Sequence, residues 1–348
     1  MKASSVRAES PRVSPFAAMV GRNRPVLYAV LLIAVLAATY LFELRRNGVF
    51  ACASTGYTAD SYLAYCNSTA YGDYDHGALW FNFEPEVLRF AGAAEVLFLG
   101  SSRMEFAFST PATTDWAAAN RLSYYLFGFA YTENIRFVAP LLKRVTPRAT
   151  AYVINADGFF YDHETAPVAD IFHDDAVESR YRRKRIWQTP HRLVCNTVSS
   201  FCGDSLAFFR TRATGTWTFG GTDALVRGAV ADAPIKDRRD LERRIGLAEA
   251  FVSSLPASRS CVFLTVAPWA ATPRADTAAI AEALGVRMVA PSGEGLHTFD
   301  GSHLDAPSAA MWSREFFAIA GADIAECARG AGRGEDVSGS LVAPRAAP

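Results

Sequence analysis

The sequence predicts an α/β domain built on a mostly parallel sheet covered on both faces, behind one N-terminal transmembrane helix. Three observations predict it. Short apolar runs (Val96–Leu99, Ala151–Asn155, Cys261–Val266, Val286–Val289) alternate with helical segments, and strands separated by helices pair in parallel. The first two runs stop abruptly, at Gly100-Ser101-Ser102 and Ala156-Asp157-Gly158, as buried strands do on entering tight turns. Pro25 to Phe42 is apolar from Val26 onward except for Thr39 and the tyrosine hydroxyls, which is about the minimum length for a bilayer span.

Taken in order, Met1 to Arg24 is rich in Ser, Arg, Ala and Pro without apolar periodicity, and reads as a disordered tail. Residues 25–42 read as an uncleaved anchor, because Glu43-Leu-Arg-Arg-Asn-Gly48 separates them from the small-residue pattern Ala51-Cys-Ala53 that cleavage would need. Lys2, Arg7, Arg12, Arg22 and Arg24 precede the span and only Arg45 and Arg46 closely follow it. The positive-inside bias then keeps the N-terminus in the cytoplasm and puts the rest of a single-pass inner (plasma) membrane protein in the periplasm or its extracytoplasmic equivalent. Residues 43–92 form a juxtamembrane segment whose aromatics (Tyr71, Tyr74, Trp80, Phe81, Phe83) pack it onto the domain.

The domain proper is expected over 93–327. After the first strand, Thr113 to Leu126 reads as a helix interrupted by Phe127-Gly-Phe129, and Asn134 to Lys143 as a second, weakened by Pro140. Val168 to Trp187 is polar and ends in the basic run Arg180 to Arg185, a solvated helix face or a contact for an anionic polysaccharide or lipid headgroup. Residues 188–236 have no clean period and suggest an insertion with a helix and a hairpin. Leu241–Leu255 is an amphipathic helix, Thr277–Leu284 another, and Ala306–Cys327 the last. Residues 328–348 are mostly Gly, Ser, Pro and Ala and should be disordered.

Composition narrows the function. Thirty-five basic residues balance thirty-five acidic ones, so no strongly charged surface is implied and nucleic acid is not an expected partner. All six cysteines follow the span, and an even number in an oxidising compartment suggests disulfides. Cys52–Cys66 and Cys195–Cys202 are the simple local pairs. Cys261 and Cys327 remain, and Cys261 reads equally well as a buried free thiol. No Cys-x-x-Cys pair supports zinc or a redox motif, and neither a metal nor a cofactor is expected.

Chemistry enters at two places. Ser102 closes a buried strand, where open α/β sheets place their ligands, although Ser102-x-x-Glu105 is also a helix capping box. Far downstream, Phe299-Asp-Gly-Ser-His-Leu-Asp305 precedes the last helix. Its Asp300 and His303 are spaced so that the carboxylate can hold one imidazole nitrogen and leave the other facing outward. A serine nucleophile needs such a base, oriented by a third group. His297, with Glu294 three residues before it, is a rival base. His163, Asp170, His173, Asp174 and Asp175 form an acidic and histidine cluster whose spacing matches no closed ligand set. Trp269 follows the third apolar run, where it would stack on a sugar ring or pack in the core. With Arg103 and Asp157 it is a candidate for substrate binding.

Gly100-Ser101-Ser102 after the first strand and Asp300-x-x-His303 before the last helix resemble the first and last blocks of the SGNH/GDSL hydrolases, over roughly residues 93–327. The resemblance implies a three-layer α/β/α, flavodoxin-like fold and cleavage or transfer of acyl esters. Ser102 would be the nucleophile, with Ser101 where the family usually has Asp, as in membrane-anchored envelope relatives. Ser102, Gly128 and Asn155 would line the oxyanion hole. Gly128 is the best match to the family's second block, whereas Asn155-Ala-Asp157-Gly158 departs from Gly-x-Asn-Asp in the third. The partners implied are an acylated glycan or acyl donor, the membrane through residues 25–42, and a membrane-embedded acyl-transfer protein. A non-catalytic glycan-binding or scaffold module on the same fold is the alternative.

Overall fold

The structure, a computed structural model, describes residues 24–221, 228–235 and 237–330. Its elements run α1 (Arg24–Arg46), β1 (Ser61–Cys66), β2 (Gly72–Asp73), α2 (Asp75–Trp80), α3 (Pro85–Ala93), β3 (Val96–Ser101), α4 (Ser102–Phe108), α5 (Pro111–Asn120), β4 (Tyr124–Phe129), α6 (Ile135–Val145), β5 (Ala151–Asn155), α7 (Ala166–His173) and α8 (Val177–Thr197). They continue β6 (Ala207–Thr211), β7 (Trp217–Gly220), β8 (Gly228–Ala229), α9 (Arg238–Ser253), β9 (Val262–Thr265), α10 (Arg274–Leu284), β10 (Arg287–Met288), β11 (His297–Thr298) and α11 (Ala306–Gly330). The expected tails lie outside the described residues, except that Arg24 opens α1 and Ala328 to Gly330 complete α11.

Five parallel strands form the central sheet in the order β10-β9-β5-β3-β4. Alternation along each strand sends side chains to opposite faces, and both faces are buried. Leu97, Leu99, Phe127, Tyr152 and Ile154 join one core with side chains of α6, α9 and α10. Val96, Phe98, Leu126, Val153 and Phe263 join the other with Met104, Phe108, Trp312 and Phe316. That two-sided burial is why these strands read as continuous apolar runs. The chain leaves β3 toward β4 on one side and later returns to place β5 on the other, so the carboxyl ends of β3 and β5 flank the switch point of the sheet.

Residues Thr113 to Leu126 are not one helix. Helix α5 stops at Asn120, Arg121 takes a left-handed conformation (φ 57°), and Tyr124–Phe129 is the edge strand β4. The alanines before Asn120 have high helix propensity, but Tyr-Tyr-Leu-Phe-Gly-Phe is aromatic and buried throughout, which suits a pleated strand.

The segment expected next to the membrane, residues 43–92, does more than pack. It supplies β1 and β2 to a second, antiparallel sheet of order β2-β1-β6-β7, whose other half is the hairpin from the expected insertion. Ser61 pairs with Thr211 and Cys66 with Ala207. All six cysteines are bonded, as Cys52–Cys66, Cys195–Cys202 and Cys261–Cys327, so Cys261 is not a free thiol.

Candidate active site

The site begins where β3 becomes α4. Ser101 is the N-cap, its Oγ accepting from the Arg103 N–H at 3.4 Å. Ser102 therefore is not the cap of a Ser-x-x-Glu box. It occupies the first helical position, where its N–H has no intrahelical acceptor and its hydroxyl is free to turn outward. Glu105, the supposed box partner, instead points into the interior.

The Ser102 hydroxyl meets His303 Nε2 at 2.8 Å, across 201 residues of chain. His303 Nδ1 in turn lies 2.6 Å from Asp300 Oδ2. Asp300 also builds the loop that presents the imidazole. Its Oδ1 accepts from the Ser302 and His303 N–H groups at 2.9 and 2.8 Å, an Asx-type turn that Gly301 completes at φ 81°. Burial raises the Asp300 pKa, but the hydrogen bond and charge of His303 and the two loop N–H groups outweigh it, leaving the carboxyl below its ordinary value. A carboxylate only accepts, so the proton of neutral His303 sits on Nδ1 and Nε2 is bare toward Ser102. Phe106 (4.7 Å) and Phe299 (5.6 Å, stacked at 21°) pack against the ring and fix its plane.

Arg103, Asp157 and Trp269 come together beside this relay. Arg103 Nη1 donates to Asp157 Oδ2 at 2.7 Å and Nε to Ser302 Oγ at 3.0 Å, and its guanidinium lies 4.0 Å over the Trp269 ring. The Arg103 side chain thus ties α4 to the histidine loop. Burial lifts the Asp157 carboxyl above its ordinary value despite Arg103. A cleft of about 400 Å³ opens past Asp157 and Trp269 toward Tyr161, Asp240 and Arg244.

The oxyanion expectations fare unevenly. Asn155 is fully buried in the β5 end, next to Gly100. Its Oδ1 accepts from the Ala267 N–H at 2.7 Å, which leaves its Nδ2 amide buried and without a partner among the described residues. Gly128 is a correction. Its N–H donates to Glu105 Oε1 at 2.8 Å in the interior and is not available to an oxyanion.

No family model, curated protein or solved structure matches this chain.

The other candidates are accounted for by neighbours. His297 lies in β11, paired to Ala229 of β8, and it is His303, not His297, that meets Ser102. His173 binds Glu164 at 2.8 Å, and Asp170 and Asp174 bind Arg180 at 3.0 and 2.6 Å, so three of the five members of the acidic and histidine cluster are spent in pairs. His191, Cys195 and Cys202 lie close enough to share a metal, but both sulfurs are in one disulfide and His191 bonds Tyr57 and the Cys52 carbonyl.

Sequence reading missed the buried charge hub under the site. Arg210 of β6 is fully buried. It binds Asp75 with two nitrogens, Glu105 at 3.0 Å, and the carbonyls of Leu126, Gly128 and Gly215. It joins the second sheet to α4 and to β4. Two carboxylates share one guanidinium, and burial pushes the Glu105 carboxyl up to about 8. An arginine within the apolar run Ala-Phe-Phe-Arg-Thr was the available signal, since a charge in a buried strand demands partners.

Proposed function

We propose that this chain is a membrane-anchored, extracytoplasmic serine acyl esterase or O-acyltransferase of the SGNH type, acting on an O-acyl group of an envelope or secreted glycan. The observation that carries the reading is the continuous Ser102–His303–Asp300 relay, with contacts of 2.8 and 2.6 Å. The sheet order and the apolar cores on both of its faces support a three-layer α/β/α arrangement. The switch-point location of Ser102 is where such sheets bind ligands.

The chemistry follows from the geometry. His303 Nε2 takes the Ser102 proton as Oγ attacks the acyl carbonyl carbon, and Asp300 stabilises the imidazolium. The tetrahedral oxyanion is met by the Ser102 N–H and the Asn155 amide, two donors where Gly128 would have made three. His303 then protonates the departing alcohol, leaving the acyl group on Ser102. Water or an acceptor hydroxyl, deprotonated by His303, releases it. Esterase and transferase share this acyl-enzyme and differ in which nucleophile reaches it.

Helix α1 has the length and composition of a membrane span. The basic residues before it favour a cytoplasmic N-terminus, and three disulfides favour an oxidising compartment for the domain. A reporter that fluoresces only in the cytoplasm, fused after Cys327, should stay dark, and a bright fusion would overturn the localisation. For the activity, the full chain should release acetate from p-nitrophenyl acetate and from an O-acetylated polysaccharide, and Ser102→Ala should abolish both. Absence of turnover on any ester by wild-type protein would favour the binding or scaffold module.

A further inference from the structure

We infer that the cleft between α1 and the basic helix α8 binds one anionic phospholipid, its phosphate held by Arg183 and its acyl chains lying along α1. The inference rests on the reading of α1 as a membrane anchor, and four features of this corner of the molecule lead to it.

The domain has no slack on its anchor. Helix α1 spans 23 residues, or about 34 Å at 1.5 Å per residue, close to the roughly 30 Å hydrocarbon core of a bilayer. The Asn47 and Gly48 N–H groups still bond back to the Glu43 and Leu44 carbonyls, and the disulfide-closed segment Cys52–Cys66 follows at once. Arg45 Nε donates to the Phe201 carbonyl at 2.8 Å. Tyr40, about 9 Å further down the helix than Arg46, lies 6.3 Å from the Trp187 ring of α8. The apolar run ends at Phe42, so Tyr40 and the Trp187 ring lie near the boundary between hydrocarbon and headgroups, where tryptophan is at home.

The cleft at that junction has a volume of about 360 Å³. Leu44 and Trp187 give it apolar walls, Tyr71 lies beside them, and Arg180, Arg183 and Lys184 supply cations. Two of these are already engaged. Arg180 pairs with Asp170 and Asp174, and Lys184 donates to the Asp73 carbonyl. Arg183 is exposed and has no ion pair or hydrogen bond among the described residues, so its charge is left for a ligand.

Charge and apolar exposure occur together on the rest of α8. The helix carries six Lys and Arg residues against the single acidic Glu178. Its Ile186 (64% exposed) and Leu193 (67%), seven residues apart, share the face next to Arg182 and Arg183. Val198, just past its end, is 51% exposed. Exposed apolar side chains among cations are the pattern of a helix lying in an anionic interface.

The test uses the full chain in mild detergent, with native mass spectrometry to count bound lipid. Phosphatidylglycerol should be retained at one per chain and phosphatidylcholine should bind at least fivefold more weakly. Glycerophosphoglycerol, the same headgroup without acyl chains, should not compete at equal concentration. Arg183→Ala should weaken phosphatidylglycerol about fivefold, the effect of one cation at a membrane surface, and Arg183→Glu should weaken it further. Arg182→Ala, whose guanidinium pairs with Glu178, is the control and should change little. Equal binding of the two lipids, or no effect of Arg183→Glu in a variant of unchanged melting temperature, would overturn the site. Competition by the free headgroup would make it a phosphate site rather than a lipid site, and would overturn the inference as stated. An alkaline membrane wash separates the two readings: a chain that washes off refutes the anchor, whereas a chain that stays but does not select the anionic lipid refutes only this site.

Discussion

Asp300→Asn separates the chemical role of the carboxylate from its structural one. In the wild type Asp300 accepts three hydrogen bonds, from the Ser302 N–H, the His303 N–H and His303 Nδ1. An asparagine carbonyl placed at Oδ1 keeps the first two, so the Asx turn survives. Its amide then faces Nδ1 and donates. That reverses the tautomer, puts the imidazole proton on Nε2 and leaves no lone pair for the Ser102 hydroxyl. The expected loss in kcat is about ten-thousand-fold, the scale for a wrong-tautomer triad, or about 5.4 kcal/mol of transition-state stabilisation. Only the charge-assisted contact to the imidazole is lost to stability, about 1–2 kcal/mol. Asp300→Ala should cost more stability, because two loop N–H groups lose their acceptor. The assay is hydrolysis of p-nitrophenyl acetate by both variants, with thermal melting alongside. Retention of more than a tenth of wild-type kcat by Asp300→Asn would refute the tautomer argument.

Three further outcomes are expected. The Glu105 pKa is raised from its ordinary 4.5 to about 8, so the stability this group confers is full below pH 4.5 and is lost as pH rises through about 8; Glu105→Gln, which keeps an acceptor for Gly128 and Arg210, should flatten that decline in urea unfolding measured from pH 5 to 9. Gly128→Ala would put a Cβ 2.3 Å from Glu105 Cγ and 2.8 Å from the Ser101 carbonyl, so it should lose about 1–3 kcal/mol of stability and also lower kcat, whereas unchanged melting would show the packing there to be looser than described. Removing Cys261–Cys327, which closes 66 residues, should cost about 4 kcal/mol by loop entropy and removing Cys195–Cys202, which closes 7, about 2, an order that paired Cys→Ser variants in denaturant would check.

What could be read in the sequence follows from how local its causes are. The strands β3, β5 and β9 were legible because burial on both faces makes them apolar and turns end them sharply. Ser102, Asp300 and His303 were legible because a strand-end serine and an Asp-x-x-His loop are short patterns whose chemistry depends on spacing. Strand β4 was not, since Ala117 to Asn120 continues smoothly into it and only the left-handed Arg121 separates the two elements. The fate of the Gly128 N–H was hidden for a different reason. It depends on Glu105 turning inward to meet Arg210, a residue 105 positions away on a strand of the second sheet. Likewise, the pairing of β1 with β6 brings together a juxtamembrane segment and an insertion that share no pattern in the chain.

Intact-mass analysis after treatment with a serine-directed fluorophosphonate tests the central claim most directly, because only an activated serine reacts. The account predicts a single adduct on wild-type protein, mapped to Ser102, absent in Ser102→Ala, strongly slowed in His303→Ala and retained in Ser101→Ala, whose side chain caps α4. No adduct on folded wild-type protein, or an adduct that persists in Ser102→Ala, would contradict it.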